Sequence, residues 1–167
     1  MRLSESLLPE YDQETANTRK VLERVPEGKF DWKPHAKSFT MSGLATHLAT
    51  IAGWGSTILE QDSFDVASPE AQNFPRSVAS REELLKLFEE GSARFRAALA
   101  AAEDARLLAP WTLLNGSAKI FTLPRLAVIR SFILNHSIHH RAQLGVYLRL
   151  NDVPVPGVYG PSADEQG

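Results

Sequence analysis

Leu126, Ile129, Ile133, His136, His140, Leu144 and Tyr147 recur at steps of three and four near the end of the chain. Side chains at that spacing share one face of an α-helix. The face that must be buried against neighbours therefore carries two imidazoles among aliphatic groups. An unpaired polar group left in a core costs about 1–3 kcal/mol, so a fold that buries this stripe has to give both rings partners.

Three further segments keep the same period. Leu8, Tyr11, Thr15, Thr18, Leu22 and Val25 predict a first helix from about Ser4 to the break at Pro26-Glu27-Gly28, with Pro9 near its first turn and two threonines facing inward. Leu44, His47, Leu48, Ile51, Trp54 and Ile58 predict a second, opened by Ser38 or Thr40 and closed at Gln61-Asp62. Ser80-Arg81-Glu82-Glu83 reads as a capping box, and Leu84, Leu87, Phe88, Phe95 and Leu99 follow as a third. Thr122 and Pro124 open the fourth, which runs through the histidine stripe to Asn151-Asp152, because proline is tolerated where the first amides are unpaired anyway.

Four helices of about 20 residues describe an all-α four-helix bundle. Residues 62–79 are polar, contain Pro69 and Pro75, and are too long for a tight helical hairpin, so they predict a long crossover between helices two and three. β-Prone residues on both sides of Asn115-Gly116 predict a small β-hairpin before helix four. Phe30, Trp32, Pro34 and Phe39 lie in a broken segment expected to cover one end of the core, and the tail with Pro154, Pro156 and Pro161 cannot continue the last helix.

Composition narrows the function classes. The 167 residues suit one domain, 1–167, and a net charge of -2 gives no footprint for nucleic acid or an anionic membrane. Zero cysteines exclude disulfides, thiolate nucleophiles and iron–sulfur clusters, so any metal must be held by nitrogen or oxygen. The N-terminal residues turn polar at once and no run approaches a membrane span, which sets the expectation of a cytoplasmic protein.

His136 and His140 stand one turn apart, a spacing at which two imidazoles can reach one metal ion. His47 is the one histidine on the inner stripe of another helix, and with it the set becomes three neutral nitrogens with open positions left for water or substrate. Ser137 follows His136 where a metalloprotease motif has glutamate. Spacing alone equally allows core histidines satisfied by backbone partners. His139 is about 100° around the helix from His140 and is expected to be exposed or supporting. His35 reads as a surface or packing residue.

His47 with Trp54 seven residues on, the run Asn135-His136-Ser137-Ile138-His139-His140-Arg141-Ala142-Gln143-Leu144, and the tail from Val155 through Tyr159-Gly160-Pro161 to Asp164 together resemble the DinB/YfiT-like family. The resemblance covers nearly the whole chain, with Ala142 where members usually carry glycine. It implies an up-down-down-up bundle, a divalent metal on His47, His136 and His140, and a homodimer. Characterised relatives of this kind include thiol S-transferases and isomerases that use low-molecular-weight thiols such as bacillithiol or mycothiol.

The expected chemistry follows from an ion of charge +2, which favours thiolate over thiol and so makes a stronger nucleophile of an external thiol cosubstrate. The same open position filled by water would give metal-assisted hydrolysis, although spacing singles out no buried acid to move the proton. A non-catalytic metal-binding or stress-response bundle is the third reading. Zinc or nickel is expected first, and iron or copper also suits imidazole. Thr15, Thr18 and Tyr147 are inward polar residues, either facing a cavity or bonded to helix carbonyls, and Arg141 and Gln143 are expected to tie the last helix to its neighbours. Expected partners are a small-molecule substrate and a second copy of the chain, with no nucleic acid and no membrane.

Overall fold

The computed structural model describes residues 2–165, so the extreme ends of the expected 1–167 domain lie outside the described residues. The long helices are α1 (Leu3–Leu22), α2 (Met41–Glu60), α4 (Arg81–Ala101) and α7 (His136–Leu150). Shorter pieces are α3 (Pro69–Gln72), α5 (Asp104–Leu108) and α6 (Arg125–Val128), and three strands complete the chain: β1 (Ser63–Asp65), β2 (Pro110–Asn115) and β3 (Ala118–Pro124). The protein is mostly helical with a small sheet. Among the described residues no helix is long and apolar enough to cross a membrane.

Side-chain caps set the starts of two long helices. Thr40 Oγ1 accepts from the Gly43 amide at 3.0 Å, and Ser80 Oγ accepts from the Glu83 amide at 3.1 Å while Glu83 reaches back to the Ala79 amide. Helix α1 packs on α4 and α7, and α2 packs on the same two. Helices α1 and α2, consecutive in the chain, thus occupy opposite corners. Tyr11 meets Phe95 edge-on at 5.0 Å and Arg96 holds Asp12 at 2.7 Å, whereas Gly55 lies so close to α4 that a Cβ there would stand 2.5 Å from the Phe95 ring.

The sequence reading of a bare two-stranded hairpin is corrected by β1, which pairs in parallel with β2 and places Phe64 opposite Leu113. Parallel pairing needs a long connection, and here α3, α4 and α5 supply it. Three residues with one buried side chain are too few for an alternating signal, which is why β1 lay hidden in the expected polar crossover. The hairpin itself turns at Gly116, whose φ of +60° suits a residue without Cβ. Strand β3 runs through Thr122, and the last helical stretch starts only at Arg125.

That stretch is not one uniform α-helix. Residues Ile129–Asn135 are π-helical and end at the residue before His136, an arrangement found disproportionately at functional sites. The inward face is accordingly rotated, so that Arg125 and Val128 are buried where Leu126 is only half-buried. Arg125 is 0% exposed. Its guanidinium donates to the carbonyls of Ile58, Pro110 and Gln61, each at 2.8 Å, and to Asp62 at 2.5 Å, satisfying the open C-terminal end of α2 and joining it to β2.

Helix α1 is also rotated from its expected stripe. Leu7, Glu14 and Val21 are buried, while Leu8 and Thr15 are half-buried. A carboxylate therefore sits inside the bundle where none was expected.

Candidate metal centre

His47 lies in the second turn of α2, His136 is the first residue of α7, and His140 is one turn further on. Packing of α2 on α7 brings the three rings together. The Nε2 atom of His136 stands 3.3 Å from His47 Nε2 and 2.9 Å from His140 Nε2. One potential ligand atom from each of the three lies within 4.8 Å of the others. Two nitrogens bound to one zinc ion at about 2.0–2.1 Å are themselves about 2.9–3.4 Å apart, so the observed spacings fit nitrogens sharing one ion.

The electronic state of the rings fits as well. His140 Nδ1 is 2.7 Å from Gln143 Oε1. The oxygen can only accept, so Nδ1 carries the proton and Nε2 keeps the lone pair that a cation needs. The His47 ring stacks on Phe39 at 5.8 Å, with the planes 17° apart.

Burial, followed by repulsion from His140 and His136, pushes the His47 pKa down to about 4. Burial also lowers His136, helped by His140 and opposed by the Phe132 carbonyl. His140 is lowered by burial, against the opposing effect of the hydrogen bond it donates to Gln143. Three neutral imidazoles are thus ready at neutral pH, and the positive charge of a divalent ion would meet no competing proton there.

The rings separate two spaces. On one side is a cavity of about 230 Å³. Ile51, Trp54 and Ile58 of α2 form one wall, Trp111 and Leu113 of β2 form another, and Phe132 closes it beside His136. Thr50 is its only hydroxyl-bearing side chain, and that hydroxyl already donates to the His47 carbonyl at 2.9 Å. On the other side Ser131, Asn135 and exposed His139 border an open groove with His136 and His140. No carboxylate lines either space among the described residues.

Sequence reasoning found all three imidazoles and missed their supports. Gln143, expected to tie α7 to a neighbouring helix, instead holds a ring of its own helix. Arg141 does bind a neighbour: it donates to Glu14 Oε2 at 2.6 Å, to the Glu14 carbonyl at 3.0 Å and to Thr18 Oγ1 at 3.2 Å. Tyr159 from the C-terminal tail accepts from Arg141 at 2.5 Å and donates to Glu14 at 2.8 Å. This cluster faces away from the three histidines.

The expectation of no buried acid is corrected by Glu14, and a signal for it existed. Glu14 is three residues after Tyr11 and four before Thr18, on the helical period itself. Of the inward polar residues considered, Thr18 serves Arg141, Tyr147 donates to the Phe39 carbonyl at 3.3 Å, and none of Thr15, Thr18 and Tyr147 lines the cavity. His35 is exposed and its Nδ1 accepts from the Lys37 amide.

A mostly helical fold with three converging imidazoles defines a class of protein whose candidate site is built from side chains of two separate helices. The DinB family model matches residues 1–166, and the chain belongs to the DinB family. Its fold is similar to that of a DinB-like protein from Bacillus subtilis, with a TM-score of 0.70 and 15% identity over 97% of this chain and 99% of the other. A DinB-like protein from Bacillus cereus is similar at a TM-score of 0.67 and 20% identity, covering 93% of this chain and 97% of that one. No curated protein matches the chain.

Proposed function

We propose that His47, His136 and His140 hold one divalent cation, zinc or nickel before iron or copper, and that the protein is an enzyme whose site takes an external low-molecular-weight thiol for S-transfer or isomerisation. The observation that carries this reading is the convergence of three Nε2 atoms, with 3.3 Å and 2.9 Å between neighbours. When bound, the cation supplies a positive charge that favours thiolate over thiol at neutral pH.

The chain's own residues do the rest. Gln143 fixes the tautomer of His140, and Phe39 braces His47 by stacking. The apolar walls on the cavity side lower the local polarity, which strengthens electrostatic interactions at the nitrogens. Three protein ligands leave positions open, the pattern of a catalytic rather than a closed structural ion. Hydrolysis wants a carboxylate or a further histidine to manage the proton; neither space beside the rings has a carboxylate among the described residues, and exposed His139 at the groove is what the hydrolytic alternative would use.

The proposal includes the up-down-down-up order of α1, α2, α4 and α7. It is supported by the pairings Ser42 with Val78 and Gly55 with Phe95 along α2 and α4. The pairings Glu10 with Arg130 and Glu14 with Arg141 along α1 and α7 support it too. It also includes a homodimer in a cytoplasmic setting, checked by sedimentation and by fractionation.

The deciding experiment is elemental analysis of purified protein and of His136→Ala prepared identically. The expected result is one metal per chain in the first and none in the second, with helical circular dichroism retained. Stoichiometric metal in the variant counts against the ligand set. A thermal-shift screen against cellular thiols then tests the cosubstrate, with a response expected in the parent protein and absent in His47→Ala.

A further inference from the structure

We propose that the cavity beside the imidazoles takes an uncharged apolar group, an aryl ring or an alkyl chain of about six to eight carbons, carried on the compound that reacts at the histidine nitrogens. The inference deepens the metal-site reading and rests on it for the position of the reacting atom. The cavity itself stands on separate observations.

His47 and His136 are part of the cavity lining, so a group held there is tethered within reach of the Nε2 atoms. The volume of about 230 Å³ exceeds the roughly 150 Å³ that suffices for benzene in an apolar protein cavity. Ile58 is 1% exposed and Trp111 is 2% exposed, which puts them at the inner end, whereas Val66 is 37% exposed and forms part of the lining next to solvent.

Charge decides the chemical class. No Asp, Glu, Lys or Arg lines the cavity. An ammonium entering it would lose its hydration with no anion to replace it, and such a group stays in water instead. The buried Trp111 Nε1 in the lining, unpartnered among the described residues, can by contrast donate one hydrogen bond to a neutral oxygen. The one hydroxyl is already committed as a donor to the His47 carbonyl. Polar parts of a ligand find a polar surface in the adjoining groove, which shares Phe132 and His136 with the cavity and is bordered by Ser131, Asn135 and His139. Trp54 lines the cavity and packs against Phe64 at 4.8 Å and Phe74 at 5.3 Å, and an indole wall suits an aryl ring or an alkyl chain equally.

The test titrates the full-length protein as purified with toluene, 1-hexanol and hexylammonium, read by tryptophan fluorescence and by thermal shift, with metal content measured on the same sample. Toluene is no metal ligand, so its binding reports the cavity whatever the metal result. Saturable toluene binding is expected, with 1-hexanol at least about tenfold tighter than hexylammonium. In a series of straight-chain alcohols, affinity is expected to rise about fourfold per methylene and to level off at six to eight carbons. Ile58→Trp fills the cavity and should abolish toluene binding. Val66→Trp, at a position partly in solvent and tolerant of size, should weaken it at least tenfold if the interior variant does not fold. Unsaturable toluene uptake, equal affinity for hexylammonium and 1-hexanol, or unchanged toluene binding in folded Val66→Trp would each overturn the proposal. A protein that binds toluene and carries no metal would defeat the metal reading and leave the apolar site standing.

Discussion

His140 Nδ1 donates to Gln143 Oε1 at 2.7 Å, and by doing so turns the lone pair of its Nε2 toward His136 Nε2, 2.9 Å away. The pair lies within a single turn of α7, so the orientation of the ring is built into the helix that carries it. Loss of such a supporting partner typically costs 10–100-fold in metal affinity. Gln143→Ala is expected to lower metal affinity by about that factor in a competition titration, while one metal per chain is still reached when the metal is in excess.

His139 separates ligation from mere proximity. Its ring is 4.8 Å from that of His140, yet it is exposed and stands outside the converging set. His139→Ala should therefore keep one metal per chain and shift the melting temperature little, since exposed substitutions are usually within about 0.5 kcal/mol. Loss of metal in this variant would show that the ligand set is wrongly drawn.

The pH response follows from the direction of the shifts. His47, His136 and His140 all titrate lower in the folded protein than in the open chain, His47 near 4 and the others also below 6.5, burial being the largest cause. The unfolded chain then binds more protons between those values. The contribution of the neutral rings to stability is complete above about pH 6.5 and is lost as pH falls toward 4. Cation affinity should fall in the same window, because protons compete for the same nitrogens. Denaturation and metal titrations at pH 7.5, 5.5 and 4.5 check both, and flat profiles across that range would contradict the assigned burial.

Arg141 and Glu14 form the buried ion pair, with side chains 4% and 11% exposed. Removing one partner strands the other, at a cost of about 3–5 kcal/mol. Glu14→Leu is expected to lower the melting temperature by roughly 6–20 °C. The double variant Glu14→Leu with Arg141→Met should recover much of that loss. A double variant as unstable as the sum of the singles would mean that the pair is not acting as a unit.

Two glycines of α2 should respond in opposite directions. A Cβ at Gly55 would press into the Phe95 ring, whereas one at Gly53 meets nothing within 4 Å. Gly55→Ala should destabilise by about 1–3 kcal/mol through overpacking. Gly53→Ala should stabilise by up to about 1 kcal/mol through helix propensity. Chemical denaturation of the two single variants reads the contrast directly.

What the sequence determined by itself was everything governed by local period and local chemistry. Three- and four-residue spacing named the four long helices, Ser80 marked one helix start and Ser38 or Thr40 another, of which the structure uses Thr40, Asn115-Gly116 marked a turn requiring positive φ, and His47, His136 and His140 were each placed on an inward face. The tertiary structure decided what depends on distant neighbours. Phe64 becomes part of a strand only because β2 lies beside it. Glu14 is tolerated in the core only because Arg141 and Tyr159 arrive from 127 and 145 residues away. The cavity exists only where α2, the sheet and the π-helical segment meet without filling the space between them. Period reports which way a side chain points along its own backbone, whereas the partner that makes a buried charge or an open ligand position affordable comes from another part of the chain.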